Sequence, residues 1–423
     1  MHDCDERSFR SANIDLRHFA LSTASNNGSP SAYRMKRSVQ LDFLRAVAVL
    51  LVIGRHMIPC PSKVSPLANW LTEALERGGW IGVDLFFVLS GFLISSLLFS
   101  EYQQHGVISF KRFFIRRGFK IYPPFWVFIG CMVLLDLLRG RIFPLSGLLG
   151  ELFFIQNYGP HLAAHTWSLA VEEHFYLLLP LLLIFVLKRS VGTQDNPFRN
   201  IPWMFAGIAA GCLTLRLGAA YWMEYDTTKH LFPTHLRIDG LFFGVVLSYF
   251  YHFFPTEFQR FAKRYSRWLC FGGGLLLLPA FFCRVEQTVY IYTFGLTEFY
   301  LAAGMILVGL LGCTLPAGLL TSFAAFLGAR SYSVYLWHFY ALEKAAQWLL
   351  DTQHSWFLYA VVSVIITMTI GVGMSIVVEY PLLYVRDKFF PSRSQPRFAI
   401  EGLKPQAATQ IDPYPSAGKV SQS

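Results

Sequence analysis

The sequence predicts an all-α integral membrane protein with about ten transmembrane helices and both termini in the cytoplasm. Of its 423 residues, 54% are hydrophobic and 17% aromatic, whereas only 15% are charged, against about 25% in an average soluble domain. The apolar residues fall into ten stretches that approach the length of a bilayer span, and the basic residues collect in alternate connections. These three observations exclude an ordinary soluble enzyme.

Window hydropathy places the ten predicted spans at 40–58, 79–99, 121–138, 167–187, 202–221, 238–254, 269–283, 293–313, 326–349 and 357–379. The apolar segment 145–158 is too short to cross the bilayer, so an interfacial or re-entrant position is expected. The polar ends, 1–38 and 391–423, are predicted to be disordered tails around one membrane domain at 39–390. We expect no soluble catalytic domain at either end, and translation could begin at Met1 or Met35.

The distribution of basic residues predicts the orientation. Connections on one side of the spans hold sixteen Lys and Arg residues, and those on the other side hold six. The positive-inside rule places the basic side and both termini in the cytoplasm. This asymmetry explains the net charge of +10 without a nucleic-acid partner. Seven scattered cysteines without CxxC spacing predict no metal site and no disulfide framework.

The first predicted span, LDFLRAVAVLLVIGRHMIP, carries Arg45 and His56 within an apolar run. At about 100° per residue, their spacing brings both side chains to one helix face, about 16 Å apart along the axis. Lipid does not tolerate such a polar stripe, so other helices are expected to cover it. His56 is the strongest catalytic candidate, because an imidazole can act as a general base near neutral pH.

The fourth predicted span opens with HTWSLAVEEHFYLLLP, which contains the adjacent carboxylates Glu172 and Glu173. Two carboxylates in an apolar segment are costly, which favours a function, although one of the two could be merely interfacial. Ser168 shares a helix face with Glu172 at i, i+4. His338, in SYSVYLWHFYAL, is interpreted as a hydrogen-bonded core histidine rather than a catalyst.

Three further ionisable residues lie at predicted outer ends of spans: Asp84 in GWIGVDLFF, and Arg237 and Asp239 in THLRIDGLFFG. Each has a structural interpretation beside the functional one. Asp84 and Asp239 could complement helix dipoles, and Arg237 could form a local ion pair with Asp239. Alternatively, these side chains could bind a substrate from the outer side.

The stretch FKRFFIRRGFKIYPPFW mixes five basic residues with aromatics on the predicted cytoplasmic side. One interpretation is a positively charged anchor on anionic lipid. The other is a phosphate-binding patch for a soluble anionic donor, since guanidinium groups suit phosphate oxygens. Composition alone does not choose between them.

In combination, these segments resemble the membrane acyltransferase 3 family, multi-spanning enzymes that O-acylate cell-envelope saccharides and some small acceptors. The resemblance covers about residues 38–390. It rests on seven motifs in order: Arg45 and His56 as R-x10-H, GVDLFFVLSGFLI from Gly82, RRGFKIYPP from Arg116, HTWSLAVEEHFYLLLP from His165, RIDGLFFG from Arg237, SYSVYLWH from Ser331, and EYP from Glu379.

The resemblance implies acyl-CoA, most often acetyl-CoA, as a donor substrate from the cytoplasm, with no permanently bound cofactor. It implies an acceptor hydroxyl on a glycan or lipid-linked sugar facing outward, and a bacterial plasma (inner) membrane as the location. By the resemblance, the family's arginine–histidine pair corresponds to Arg45 and His56, and its basic, donor-binding motif to Arg116, Arg117 and Lys120. From the residues themselves we add Glu172 and Glu173 as catalytic candidates that orient or charge His56. Asp84, Ser168, Arg237 and Asp239 are added as substrate-binding candidates, with Arg237 able to stabilise the oxyanion. Lys120 stands where many members have arginine, and lysine does not bind phosphate bidentately.

Some members of that family add an outward-facing hydrolase-like domain. We therefore expect this chain to finish the reaction itself or to pass its product to a separate outward-facing transferase or export machinery.

The main rival is a secondary transporter or flippase for an acylated sugar, whose mark would be an inverted repeat with broken spans. The sequence has no convincing repeat, although Pro123–Pro124 and Gly272–Gly274 could break helices. A non-catalytic scaffold is disfavoured by the buried charges.

Overall fold

The structure is a computed structural model that describes residues 38–190, 196–350 and 355–392, with the backbone alone at residue 350. The predicted tails therefore lie outside the described residues, apart from Ser38, Pro391 and Ser392.

In these three ranges the chain forms sixteen α-helices joined by short turns, and no strand. The helices are α1 Val39–His56, α2 Pro66–Gly78, α3 Gly82–His105, α4 Phe110–Leu138, α5 Leu145–Leu152, α6 Trp167–Arg189, α7 Ile201–Trp222, α8 Thr227–His230, α9 Ile238–Phe253, α10 Pro255–Leu276, α11 Leu278–Phe282, α12 Leu296–Gly312, α13 Leu319–Gly328, α14 Ser331–Leu350, α15 Trp356–Met374 and α16 Tyr380–Phe389.

Every predicted span overlaps a helix, but fewer helices qualify as spans by length and hydropathy. Among the described residues, six continuous helical runs are long and apolar enough to cross a membrane: Pro66–His105, Phe110–Leu138, Ala164–Arg189, Ile201–Trp222, Ile291–Gly312 and Trp356–Phe389. Helix α9 and the run Pro255–Phe282 are bent by 113° relative to each other. If they form one bent span, the number of candidate spans is seven. The regular structure of the described residues is thus all helical, and the chain is an integral membrane protein, while the count of ten and the cytoplasmic termini remain predictions.

Helix α4 begins well before the predicted span. The sequence analysis treated the basic stretch as a connection, with the span starting at residue 121, whereas the helix starts at Phe110 with Ser109 as its N-cap. The hydroxyl of Ser109 accepts a hydrogen bond from the amide of Arg112. The basic side chains therefore have fixed positions on a helix. Pro123 and Pro124 lie inside α4 and Gly272–Gly274 inside α10, so neither breaks a helix as the transporter alternative would require.

Helices α1 and α3 form the centre of the bundle. Helix α1 packs against α2, α3, α12, α13 and α14, and α3 against α1, α6, α9 and α12. The most apolar part of the run that contains α3 is 78% buried, against 17% for α7 and 22% for the run that begins with α15, which places those two at the periphery. Side chains at the end of α1 are consequently surrounded by other helices.

Two glycines bring α3 and α9 into unusually close contact. A Cβ atom on Gly91 would lie 1.9 Å from the carbonyl oxygen of Leu241, and one on Gly244 would lie 2.2 Å from that of Val88. Small residues at such a crossing let helix backbones approach, which is a common basis of helix packing in membranes. This crossing holds the N-terminal ends of both helices, with Asp84 and Asp239, beside each other.

Candidate active site

His56 lies at the C-terminal end of α1 and contacts His338 of α14. The ring centroids are 5.0 Å apart, and Nδ1 of His56 lies 3.2 Å from Nε2 of His338. Nδ1 of His56 also lies 2.9 Å from the carbonyl oxygen of Val52. Because a carbonyl oxygen only accepts, Nδ1 carries the proton and a neutral His56 keeps an unprotonated Nε2. That nitrogen has no hydrogen-bond partner within the described parts of the chain, so it can act as a base.

The tautomer of His338 is set in the same way. Its Nδ1 donates to the carbonyl oxygen of Tyr335 at 2.5 Å, so its Nε2 accepts from Nδ1 of His56. His338 is completely buried, as the interpretation as a core histidine expected. Its contact with His56 nevertheless gives it a second role, because it orients the proposed base.

A third histidine, His165, completes the cluster and was not selected from the sequence. It lies in the short 3₁₀ turn before α6, with its ring centroid 5.0 Å from that of His338. Its Nε2 donates to the carbonyl oxygen of Leu336 at 3.1 Å, and its buried Nδ1 has no partner among the described residues. The only sequence signal was its position as the first residue of the HTWSLAVEE motif.

The three histidines do not form a metal site. Across the residues that the structure describes, no group of three or more His, Cys, Asp or Glu side chains is arranged to hold a metal ion. The donated protons explain this, because Nδ1 of His56 and Nε2 of His165 point at backbone carbonyl oxygens.

Ser168, which the sequence analysis assigned to substrate binding, is hydrogen-bonded to Tyr335. Its hydroxyl lies 2.7 Å from the hydroxyl of Tyr335, which donates to the carbonyl oxygen of His165 at 2.5 Å. The proton of Tyr335 is therefore used, and Ser168 donates to it. Ser168 thus supports the histidine cluster.

Glu172 lies one helical turn beyond Ser168 and has two hydroxyl partners. The hydroxyl of Ser90 donates to one carboxylate oxygen at 2.8 Å, and that of Tyr176 to the other at 2.7 Å. Although Ser168 and Glu172 share a helix face as predicted, they bind different partners. Glu172 makes no hydrogen bond to His56 within the described residues, so it does not orient the imidazole directly.

Arg117 and Glu173 form, together with Glu172, a second polar region beside the histidine cluster. The guanidinium of Arg117 lies 4.0 Å from the centroid of the Tyr176 ring, a cation–π contact. Arg117 also interacts electrostatically with Glu172 and Glu173. Glu173 is 9% exposed, and its Oε1 has no hydrogen-bond partner in the described ranges. Of the three predicted donor-binding residues, Arg117 is therefore the one brought to the predicted catalytic glutamates.

A series of neighbouring polar side chains lies between the histidine cluster and the region of Arg117 and the two glutamates. Tyr335 and His338 lie three residues apart on one face of α14. Tyr335 reaches Ser168, and Glu172 follows Ser168 by one turn of α6. We name this series the polar track; it comprises Arg117, Tyr176, Glu172, Ser168, Tyr335, His338 and His56.

Arg116 points away from the polar track. It bonds to the carboxylate of Asp387 at 3.0 Å and to the carbonyl oxygen of Phe390, at the C-terminal end of α16. Arg112 binds the carbonyl oxygen of Pro391 in the same way. The predicted phosphate patch is therefore divided, with Arg116 anchoring α16 and Arg117 facing the glutamates. Lys120 is half-buried on the same helix.

Arg45 lies near the start of α1 and forms an ion pair with Asp42, one turn earlier on the same helix. The predicted polar stripe on α1 thus exists, and Asp42 neutralises one end of it. The spacing along the helix axis separates Arg45 from His56. The structure does not bring Arg45 into the histidine cluster.

Arg237 and Asp239 pair with other residues and not with each other, unlike the local ion pair that was one alternative from the sequence. Arg237 pairs with Asp84 of α3 at 2.8 Å. Both carboxylate oxygens of Asp239 accept from Nη2 of Arg216 on α7, at 2.5 and 2.6 Å. All four side chains are at most 4% exposed. Residues two positions apart at the start of a helix face different directions, so Arg237 and Asp239 each pair with a residue of another helix. Arg216 was missed because it stands alone in an apolar span.

Arg237 is also surrounded by aromatic rings. Its guanidinium lies 6.0 Å from the ring centroid of Trp80, 5.7 Å from that of Phe87 and 5.6 Å from that of Trp167. Its Nη1 and Oδ2 of Asp84 are buried without partners among the described residues. Trp167 directly follows the turn that carries His165. The buried pair of Arg237 and Asp84 therefore borders the histidine cluster.

The sequence model of the acyltransferase 3 family, described as an acyltransferase domain, matches residues 38–376, and the chain belongs to that family. The matched range includes the whole polar track but ends before α16.

Two curated relatives from Staphylococcus aureus match most of the chain. One, named "Putative O-acetyltransferase SAS0844" (strain MSSA476), is 29% identical over 352 residues, which cover 77% of this chain and 54% of the relative. The other, O-acetyltransferase OatA (strain NCTC 8325 / PS 47), is 30% identical over 323 residues, which cover 71% and 49%. The chain thus spans about half the length of the curated relatives it matches. No solved structure matches.

Proposed function

We propose that the chain is a membrane O-acyltransferase that moves an acyl group, most simply acetyl, from acyl-CoA to a hydroxyl of a cell-surface or lipid-linked saccharide. Family membership supports acyl transfer, and the relatives named O-acetyltransferase support acetyl as the group and oxygen as the acceptor atom. CoA and the saccharide are inferred from the motif resemblance. The observation that carries the proposal is the contact between His56 and His338, which leaves Nε2 of His56 unprotonated.

The donor approaches from the side on which α4 begins, which the positive-inside rule assigns to the cytoplasm. Arg117 and Lys120 hold the CoA phosphates, and the pantetheine arm follows the polar track toward α1. Glu172 and Glu173 keep Arg117 in place through their charge. The sequence analysis assigned Glu172 and Glu173 to orienting His56. Because His338 already contacts the imidazole of His56, we propose that the glutamates support the donor site.

His56 then performs the proton transfer. Its Nε2 removes the proton of the acceptor hydroxyl while the oxygen attacks the thioester carbonyl carbon, and the carbon–sulfur bond breaks. The proton passes from the imidazolium to the departing CoA thiolate. In the alternative order, Nε2 attacks the thioester first, CoA leaves, and the hydroxyl then takes the acyl group from the imidazole. Both orders require the tautomer that Val52 and His338 select.

The test is transfer of labelled acetyl from acetyl-CoA by the purified chain in liposomes, to an envelope glycan fraction. We expect His56→Ala to lose roughly 10²–10⁴-fold in rate, the usual contribution of a general base. His252→Ala is a matched control, since His252 is also half-buried but lies on α9, beside Phe99 of α3. Undiminished transfer by His56→Ala at normal expression would overturn the proposal. Uptake of free sugar without acetyl transfer would favour the transporter.

A further inference from the structure

We propose that Glu151 is a positioning residue for this active site: it clamps the turn at 162–166 and thereby holds His165 and Tyr335 in the arrangement that orients His338. This inference rests on the proposed function and extends it to a residue outside the matched motifs. It belongs to the short helix α5, between α4 and α6.

The carboxylate of Glu151 gathers donors from one short stretch of chain. Its Oε1 accepts from the backbone amides of Leu162 and Ala163, both at 3.1 Å. The hydroxyl of Thr166 lies 3.0 and 2.8 Å from the two carboxylate oxygens. Every donor belongs to the turn that leads into α6, so Glu151 determines the path of that turn.

The position of Glu151 is costly, which indicates that the site requires it. The residue is 0% exposed, and no Lys, Arg or His forms an ion pair with it within the described residues. Burial raises its pKa to about 7, and the three donors only partly offset this. A buried carboxyl without a cationic partner is uncommon unless a structure depends on its hydrogen bonds.

The clamped turn reaches the histidines by two routes. The first is direct, because His165 lies within the turn and its ring packs against His338. The second passes through Tyr335, which donates to the carbonyl oxygen of His165 at 2.5 Å and whose own carbonyl oxygen accepts from Nδ1 of His338 at 2.5 Å. Both routes end at the imidazole that accepts from His56. A shift of the turn would therefore misplace the proposed base without touching it.

Two pairs of variants distinguish loss of the hydrogen bonds between Glu151 and the turn from a general loss of folded structure. Glu151→Leu removes both oxygens at similar volume, so the amides of Leu162 and Ala163 lose their acceptor. Glu151→Gln keeps an oxygen that accepts from both amides, and its amide nitrogen can donate to the hydroxyl of Thr166, which then donates to the carbonyl oxygen of Ala163 at 2.7 Å. Thr166→Val removes the hydroxyl at nearly constant volume, and Thr166→Ser keeps it.

The kinetic result expected is a loss of about 10- to 100-fold in kcat for Glu151→Leu and for Thr166→Val, with KM for acetyl-CoA within about twofold. Glu151→Gln and Thr166→Ser should retain most of the activity. The double variant Glu151→Leu, Thr166→Val should lose no more than the more impaired single variant, because both substitutions remove the same clamp. Unchanged kcat in Glu151→Leu would overturn the proposal, as would a fall in folded protein with normal kcat per folded molecule.

A measurement without catalysis separates this inference from the proposed function. Hydrogen exchange should be faster at the amides of Leu162 and Ala163 in Glu151→Leu, and side-chain NMR of ¹⁵N-histidine should show a changed signal for His338. Unchanged exchange and unchanged histidine signals would overturn the clamp even if the enzyme is an acetyltransferase. Conversely, if His56→Ala transfers acetyl normally while these signals change, the clamp is real and the proposed function fails.

Discussion

Nε2 of His338 lies 3.2 Å from Nδ1 of His56, although 282 positions separate the two residues in the sequence. In hydrolases with a Ser-His-Asp triad, a carboxylate holds the basic histidine in the correct tautomer. Here a neutral imidazole and the carbonyl oxygen of Val52 share that task. A neutral partner orients the base but supplies no negative charge to stabilise an imidazolium, so we expect its loss to cost less than the loss of the base.

The first prediction concerns this orientation. Replacing His338→Leu removes the acceptor and should lower kcat by roughly 10- to 100-fold, less than the roughly 10²–10⁴-fold expected for loss of the base itself. His338→Gln offers an amide oxygen to Nδ1 of His56 and should retain more activity than His338→Leu. Steady-state kinetics of acetyl transfer, normalised to folded protein, give the comparison. Equal activity in wild type, His338→Leu and His338→Gln would show that His338 has only a structural role.

The second prediction separates two neighbouring arginines. Arg117→Ala should reduce kcat/KM for acetyl-CoA by about 10- to 100-fold, since charge-assisted hydrogen bonds contribute about 1.5–3 kcal/mol. Arg116→Ala should leave that ratio within about twofold, because Arg116 is bound to Asp387 and Phe390 of α16. Its loss should instead release α16, which increased proteolysis near that helix would reveal. Equal kinetic losses in both variants would show that the two arginines bind the donor as one patch.

The third prediction tests whether Asp84 is an ion-pair partner or only a complement to the dipole of α3. Removing one partner of a buried pair costs about 3–5 kcal/mol, whereas losing a dipole interaction costs about 0.3–1 kcal/mol. We expect Asp84→Ala to fall in the larger range, because Arg237 would stay buried without its partner. Asp84→Leu combined with Arg237→Met should be more stable than Asp84→Ala alone. Unfolding in a mild detergent, titrated with a denaturing one, measures the difference.

The fourth prediction follows from the pKa of Glu151, which burial raises to about 7 from 4.5. Between these two values the folded chain binds more protons at this group than the unfolded chain does. Its contribution to stability is therefore present at low pH and is lost as the pH rises toward 7. Glu151→Gln does not titrate, so the difference in Tm between wild type and Glu151→Gln should shift against wild type from pH 5 to pH 7.5. A constant difference in Tm across that range would contradict the raised pKa.

The sequence by itself determined where the long apolar helices lie and which polar residues they carry. Hydropathy and charge are local properties, so a window of about twenty residues contains most of that information. His56 and Glu172 could be selected for this reason, since each ionisable group stands out against an apolar run, whereas Arg117 was selected with the basic stretch around it. The ordered motifs likewise predicted the family, which the comparison confirmed.

Only the tertiary structure decided which of those groups meet. Arg237 pairs with Asp84 rather than with Asp239, and Arg116 and Arg117, adjacent in sequence, face different surroundings. The partners lie on helices that are distant along the chain, and helix packing, with Gly91 and Gly244 at one crossing, selects among many polar pairs that the local pattern permits equally. His165 and Glu151 became visible for the same reason, because their roles depend on contacts between separate elements and on no feature of their own segments.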